Sequence, residues 1–356
     1  LAALFLTSLV TLPSTISGDS QSTWTVKTVD ANAAGYGNGY CPIVVDSNGI
    51  PHIAYTGHTP PNIYDIVKYA SWNGSNWNIQ EIPYGTAIDL KLDSKGNPHI
   101  LYETGVYGGL MYARWTGLKW LTQTVTSTPV VYASLALDTF GNPHIAYTSG
   151  EVLKYASLTG STWKIQSIDS YPESSFQYSL ALDSNNTPYI LYNPSSITDN
   201  SQAIGIHAIN IKLAIDKNSS WVIQNVILPY PSGELGKIIL DSKGRPNFIL
   251  TQYIFSGNRY YPNTIVYVKW DGSSWNTEIA ISNVTTSNDF RLGSLSLDVS
   301  DNPHLNYITS SGNLIYAKRT GTVWNVQHVN SNITARGPCY LAVDSNGNPH
   351  ISYRGF

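Results

Sequence analysis

The chain has 356 residues, 42% of them apolar and 12% charged, with a formal net charge of −3. That charge density is about half the usual value for a soluble domain. Together with 25 Tyr and 10 Trp against a single Met, it excludes a coiled coil, a collagen, a basic nucleic-acid surface and a multi-span membrane protein.

The chain opens on the apolar run Leu1 to Val10, too short to cross a bilayer, followed by small residues around Thr15-Ile16-Ser17. Residues 1–17 read as the remnant of a secretion signal, and residues 18–356 as one domain. The mature protein is therefore expected outside the cell, with no membrane span. From Trp24 onward the sequence repeats. One segment, first seen as Val44-Val45-Asp46-Ser-Asn-Gly49-Ile-Pro51-His52-Ile-Ala-Tyr55, returns at Asp93, Asp138, Asp183, Asp241, Asp298 and Asp344. A second, seen as Lys154-Tyr155-Ala-Ser-Leu-Thr-Gly160-Ser-Thr-Trp163, places Trp at 24, 77, 120, 163, 221, 275 and 324.

Each unit contains four short β-rich runs, such as 134–137, 144–147, 152–157 and 163–168, bounded by Gly, Pro, Asn and Ser. No stretch carries a sustained helical period. The expected fold is all-β: a seven-bladed β-propeller of four-stranded antiparallel blades. The N-terminal strand 23–29 is expected to close the ring by pairing with the C-terminal blade, at 341–353. That last blade then lacks a third strand. A continuation of the chain, residues near Ile16 or a neighbouring molecule could supply it. At the turn between the first two strands, Asp46, Asp93, Asp138, Asp183, Asp241, Asp298 and Asp344 can accept local backbone N–H bonds. Three residues later stands Gly, or Asn186 or Asp301, residues that tolerate a positive φ.

These residues resemble a group of secreted repeat proteins whose units read roughly LALDSxGxPHIAY…LKYAxxxGxxW. They are assigned to β-propellers of the BNR-like, sialidase-superfamily type. The resemblance covers residues 24–353. It implies the propeller fold, and for function it implies a range: lectins, glycoside hydrolases, polysaccharide lyases and assembly modules. The sialidase Asp-box has Asp and Gly two apart, whereas here they are three apart, which speaks against sialidase activity.

Cys41 and Cys339 each lie five residues before a repeat Asp, in the first and last blades. These blades are neighbours in a closed ring, so a Cys41–Cys339 disulfide is expected across the junction that the backbone does not cross.

Loop lengths distinguish two faces. The repeat Asp and the Tyr that ends the second strand stand nine apart throughout, whereas the loops on the other face vary in length. Variable loops on a rigid scaffold are the usual place for function. They carry Tyr36, Tyr40, Tyr84, Tyr132, Tyr178, Phe290, Arg291, Arg336 and His58, the candidate ligand-binding residues. Aromatic rings with polar tips suit sugars, whose C–H faces stack while their hydroxyls hydrogen-bond. The expectation is non-catalytic binding of a glycan or a surface protein by this face. The alternatives are a self-assembling subunit that exchanges strands into the incomplete blade, giving a homo-oligomer, or a polysaccharide lyase or glycoside hydrolase. For an enzyme the nearest acids are Glu103, Glu173 and Glu234. The repeat histidines His52, His99, His144, His304 and His350 stand one per blade and cannot converge on one ion, so they read as structural. No zinc, EF-hand, phosphate-loop or nucleophile-elbow motif occurs, and no cofactor is expected.

Overall fold

The computed structural model describes residues 4–9, 24–31, 39–58, 65–105, 108–130, 132–170, 178–194, 211–228, 232–256, 259–284, 291–330 and 335–355. Every regular element among them is a strand. The chain begins with β1 (Leu4–Leu9) and β2 (Thr25–Thr28). The first sheet is β3 (Ile43–Val45), β4 (Pro51–Gly57), β5 (Ile66–Trp72) and β6 (Trp77–Tyr84). The second is β7 (Thr86–Leu92), β8 (Pro98–Glu103), β9 (Leu110–Trp115) and β10 (Trp120–Thr126). The third is β11 (Ala133–Leu137), β12 (Pro143–Ser149), β13 (Val152–Thr159) and β14 (Thr162–Ser170). The fourth is β15 (Tyr178–Leu182), β16 (Pro188–Tyr192), β17 (Ile211–Asp216) and β18 (Trp221–Val226). The fifth holds β19 (Ser232–Leu235), β20 (Ile239–Leu240), β21 (Pro246–Ser256), β22 (Arg259–Trp270) and β23 (Trp275–Ser282). The sixth is β24 (Arg291–Leu297), β25 (Pro303–Ile308), β26 (Leu314–Thr320) and β27 (Val323–Asn330). The closing sheet joins the two ends of the chain in the order β2-β1-β29-β28, with β28 (Ala335–Val343) and β29 (Pro349–Gly355).

The expectation of seven like four-stranded blades is corrected here. Six blades have four strands each, not seven, and the remaining sheet has five. Its inner strand is broken into β19 and β20, which pair separately with β21 through Leu235↔Leu250 and Ile239↔Asn247. The cause lies at Gly236. Its N–H donates to Ile249 O at 2.8 Å, and a Cβ there would stand 2.7 Å from the Ile249 side chain. The backbone thus tucks against β21 instead of running on.

In the closing sheet β1 lies between β2 and the C-terminal strand, with Leu6↔Tyr353 on one side and Leu6↔Thr28 on the other; it takes the third-strand position for which residues near Ile16 were one candidate. The apolar segment read as part of a secretion signal therefore holds the third position of the closing sheet. The inner strands touch in a ring, β3 to β7, β11, β15, β20, β24, β28 and back to β3.

Apolar cores lie between neighbouring sheets. Leu101, Leu110 and Tyr112 of the second pack on Leu135, Ile145, Tyr147 and Ala156 of the third. Burial on both faces is what makes the first two strands of each unit nearly continuously apolar. The repeated aromatics extend this packing around the ring. Trp120 meets Tyr69 of the preceding sheet edge-on at 5.5 Å, and Trp163 meets Tyr112, Trp221 meets Tyr155, Trp324 meets Tyr267 and Trp24 meets Tyr316 likewise, at 5.1 to 5.9 Å. The indole N–H of Trp120, Trp221 and Trp324 donates to Gln80, Gln166 and Glu278 of the preceding sheet at 2.8 to 2.9 Å.

The repeat Asp residues act as the sequence implies. Asp46 Oδ1 accepts Asn48 N at 2.9 Å and Ile50 N at 2.8 Å, and Gly49 has φ +79°. Asn186 and Asp301 stand at the same turn position with φ 65° and 61°. There the side chain adds a bond that Gly cannot make. Asn186 Oδ1 accepts Thr139 N, and Asp301 Oδ1 accepts Ser242 N, each at 2.9 Å from the preceding sheet's turn.

In four sheets the histidine after the turn Pro sits between two partners. His99 Nε2 lies 3.7 Å from Asp93, and its Nδ1 accepts Tyr112 OH at 2.5 Å. His304 repeats this with Asp298 at 3.4 Å and Tyr316 OH at 2.6 Å. His52 and His144 pair with Tyr69 and Tyr155 in the same way. These residues tie the turn to the third strand of the same sheet. Burial holds all five repeat histidines below the ordinary imidazole pKa, His99 and His304 at about 4.

Candidate functional site

Side chains alternate along a strand, so residues four positions before each repeat Asp fall at equivalent places on the inner strands. Those residues are Pro42, Asp89, Ser134, Ser179, Lys237, Ser294 and Tyr340. Three of them converge on the ring axis. Lys237 Nζ, placed by the break between β19 and β20, reaches across to Asp89 Oδ1 at 3.3 Å and lies 5.3 Å from the Tyr340 ring centroid. Lys91 joins Asp89 Oδ1 at 3.0 Å, and the other carboxylate oxygen accepts Leu135 N at 3.0 Å. Burial alone would raise the Asp89 pKa, but Lys237, Lys91 and the Leu135 N–H outweigh it and bring it down to about 2. Burial of Lys237 pushes its pKa the other way, downward, against the pull of Asp89.

Nearer the variable-loop face the site turns aromatic. Tyr178 donates its hydroxyl to Tyr132 O and accepts Thr148 N at 2.8 Å. The Tyr132 and Tyr178 rings stand edge to face at 6.2 Å. Burial lifts the Tyr40 phenol to about 12, and the neighbouring Tyr132 and Glu103 add to the rise. Tyr340 is raised well above its usual value by burial, with Cys41, Tyr40 and Asp89 contributing. Glu103 is also raised by burial. Across the ring Glu234 Oε2 accepts Leu292 N at 3.1 Å, and burial raises its pKa against the pull of that N–H and of Arg291.

Of the candidates read from sequence, the structure brings Tyr132 and Tyr178 into contact, with Tyr40 and Glu103 near enough to act on each other's charge and Glu234 near Arg291. Tyr84 is 58% exposed at the end of β6, apart from this group. His58 faces Asp65 of its own hairpin at 3.5 Å. Arg336 pairs through its backbone with Arg354. Tyr36, Phe290 and Glu173 lie outside the described residues. Sequence reasoning missed Asp89, Lys91, Lys237 and Tyr340. The signal was present in the offset of four from each repeat Asp, at which only Asp89 and Lys237 are charged. Among the described residues no group of three or more His, Cys, Asp or Glu is placed to hold a metal ion.

The expected disulfide is corrected: Cys41 and Cys339 are free, buried thiols. Each backbone carbonyl accepts a serine hydroxyl, Cys41 O from Ser352 at 2.5 Å and Cys339 O from Ser294 at 3.4 Å. Burial raises Cys41 to about 12 and Cys339 higher still. Both should resist iodoacetamide at pH 8 in the folded protein and react only after denaturation, as read by intact mass. Rapid labelling of either thiol in the native state would contradict this burial.

No protein-family model matches the chain, and no curated protein is similar to it in sequence. Solved structures are similar in fold. An ulvan lyase of polysaccharide lyase family PL25, bound to -[GlcA(1-4)Rha3S]-, aligns with a TM-score of 0.62 at 13% identity, covering 90% of this chain and 91% of that one. AofleA from Arthrobotrys oligospora gives 0.55 at 10% identity, over 84% and 88%. The six-bladed fucose-recognising lectin of Aleuria aurantia gives 0.51 at 13% identity, over 81% and 93%. What these likenesses establish, at such identities, is the fold: the chain is a β-propeller.

Proposed function

We propose that this propeller is a non-catalytic glycan-binding module that works outside the cell through its variable-loop face. The observation that carries the reading is the edge-to-face pair of Tyr132 and Tyr178 at the starts of neighbouring inner strands. Flat rings with hydroxyl tips give stacking and hydrogen bonding without a titratable group. The axial cations Lys91 and Lys237, two against one Asp89, favour an acidic sugar at the centre. Similarity to lectins and to a polysaccharide lyase supports a sugar ligand, since both handle glycans.

A glycan array read with the purified protein tests this. Binding to one glycan class is expected, weakened roughly tenfold by Tyr132→Ala and kept by Tyr84→Ala. Absence of binding to any glycan would overturn it.

A second reading, a lyase or hydrolase at the same mouth, is favoured by one observation: burial raises both Glu103 and Glu234, as a general acid requires. Release of reducing or unsaturated ends from a bound polysaccharide, abolished by Glu103→Gln, would establish that reading and displace the first.

A further inference from the structure

The repeated Trp of each sheet meets a fixed position of the sheet before it, three residues after that sheet's own Trp. In six sheets this position holds an acceptor: Gln80, Gln123, Gln166, Gln224, Glu278 or Gln327. Trp120 and Trp221 donate their indole N–H to Gln80 and Gln166 at 2.9 Å, and Trp324 donates to Glu278 at 2.8 Å. In the closing sheet the same position, on β2, holds Lys27, whose ammonium has donors only. The next sheet's Trp77 is left over. Its Nε1 is buried and has no hydrogen-bond partner among the described residues. Trp24 and Trp163 are unpaired as well, but their matching residues are the acceptors Gln327 and Gln123. The Gln123 side-chain oxygen is itself unpaired, so a small rotation can satisfy both it and Trp163. Trp77 has no such acceptor.

This mismatch borders a groove. A space of about 450 Å³ opens between the closing sheet and the first, lined by Lys27 and Thr28 on one side and by Trp72, Asn76 and Trp77 on the other. Trp72 and Trp77 flank the β5–β6 turn with their rings edge to face at 5.3 Å. Lys27 Nζ stands 3.8 Å over the Trp72 ring. An ammonium, a buried indole N–H and two indole rings therefore share one groove. A buried donor without an acceptor is costly, so a ligand oxygen placed there recovers the bond that glutamine makes elsewhere in the ring. Negative charge on that oxygen also pairs with Lys27. Indole rings suit the C–H face of a sugar. The groove lies at a third-to-fourth-strand turn, on the side of the ring that carries the constant turns, away from Tyr132 and Tyr178.

We propose that this groove is a binding site for an acidic sugar. The oxyanion of the sugar, a uronate carboxylate or a sulfate ester, accepts hydrogen bonds from Lys27 Nζ and Trp77 Nε1 while the sugar ring lies against the indoles. The site goes beyond glycan binding at the variable-loop face, since it uses other residues on the other side of the ring. It occurs once per chain, because Lys27 is the one cation among the seven matching positions.

The probes are glucuronate and a galactose sulfate ester, with glucose as the neutral control and inorganic sulfate as the bare anion. They are titrated into the full chain labelled at tryptophan nitrogen and read by nuclear magnetic resonance. The Trp77 indole signal, assigned from its loss in Trp77→Phe, reports this groove alone, so the same sugars bound at the variable-loop face are not mistaken for it. A saturable shift of that signal is expected with an acidic sugar, and the tighter of the two identifies the oxyanion. Lys27→Gln restores the repeat's own pair. In the unliganded variant the Trp77 signal should move toward those of Trp120 and Trp221, and affinity for the acidic sugar should fall about tenfold. No saturable shift with either acidic sugar would overturn the proposal, as would equal affinity in Lys27→Gln. So would glucose or inorganic sulfate binding as tightly as the sulfated sugar. Glycan binding at the variable-loop face is read separately, through Tyr132→Ala, so failure of either reading leaves the other standing.

Discussion

Acidification from pH 7 to pH 4 should strip much of the stability from this protein before its carboxylates titrate. The five repeat histidines are buried and held neutral, with Nε2 toward an Asp and, in four of them, Nδ1 bonded to a Tyr hydroxyl. In the unfolded chain a histidine titrates near 6.5, and in the folded state His99 and His304 titrate at about 4. The unfolded state therefore binds more protons throughout that window, so stability is present above pH 6.5 and is lost as pH falls toward 4. The loss is about 3 kcal/mol for each of these two residues, against a total margin of roughly 5 to 15 kcal/mol for a domain. Glu103 and Glu234, raised by burial, act with the opposite sign, gaining stability as pH falls through their folded pKa, but they are two against five. The turn carboxylates Asp93, Asp138, Asp241, Asp298 and Asp344 are all depressed by their turn hydrogen bonds, which overcome burial. Their stabilisation is lost in a second, more acid step. Urea midpoints measured at pH 7, 6, 5 and 4 should fall monotonically, and His304→Gln should flatten the curve while lowering its plateau. A midpoint unchanged down to pH 4.5 would refute the assignment.

Asp89→Ala should cost about 3 kcal/mol, because it removes the buried carboxylate that Lys91, Lys237 and the Leu135 N–H share. The side chain is 3% exposed and holds Lys91, Lys237 and the Leu135 N–H, so it joins the second sheet to the third and to the fifth. Lys237 keeps 39% of its side-chain surface, so part of its charge stays solvated and the cost remains at the lower end of what a broken buried pair shows. In the double variant Asp89→Ala, Lys237→Met the penalty should shrink by 1 kcal/mol or more. Urea unfolding of the three variants reads this directly. Additive single effects would show that the two charges do not interact.

The local grammar of the blade was legible. Asp turns, positive-φ positions, strand starts at Pro and the Trp of each fourth strand all depend on residues within one unit. Relations between units were not. Asp89 and Lys237 are 148 positions apart, and only closure of the ring brings them together, so no pattern within one unit reports the pair; only their shared offset from the repeat Asp does. The broken inner strand of the fifth sheet was hidden for a similar reason: Gly236 reads as a loop residue, and its close approach to Ile249 is visible only once β21 is in place. The N-terminal run was ambiguous because apolarity and length suit both a signal and a strand. The cysteines lie at the entries to neighbouring inner strands, and adjacency there does not by itself make a disulfide: both are free thiols. Of the aromatic candidates, Tyr132 and Tyr178 meet at the starts of neighbouring inner strands, while Tyr84, on an outer strand, is largely exposed.

The bond from Lys237 to Asp89 spans the bore from the fifth sheet to the second. Its consequence is topological. A ring with an unobstructed bore can be threaded by a polymer, end first, and can then slide along it. Here a crossbar lies over the axis, with Lys91 and Tyr340 against it. A polymeric ligand of the proposed kind would instead have to lie across the face, reached from the side at any point along its length.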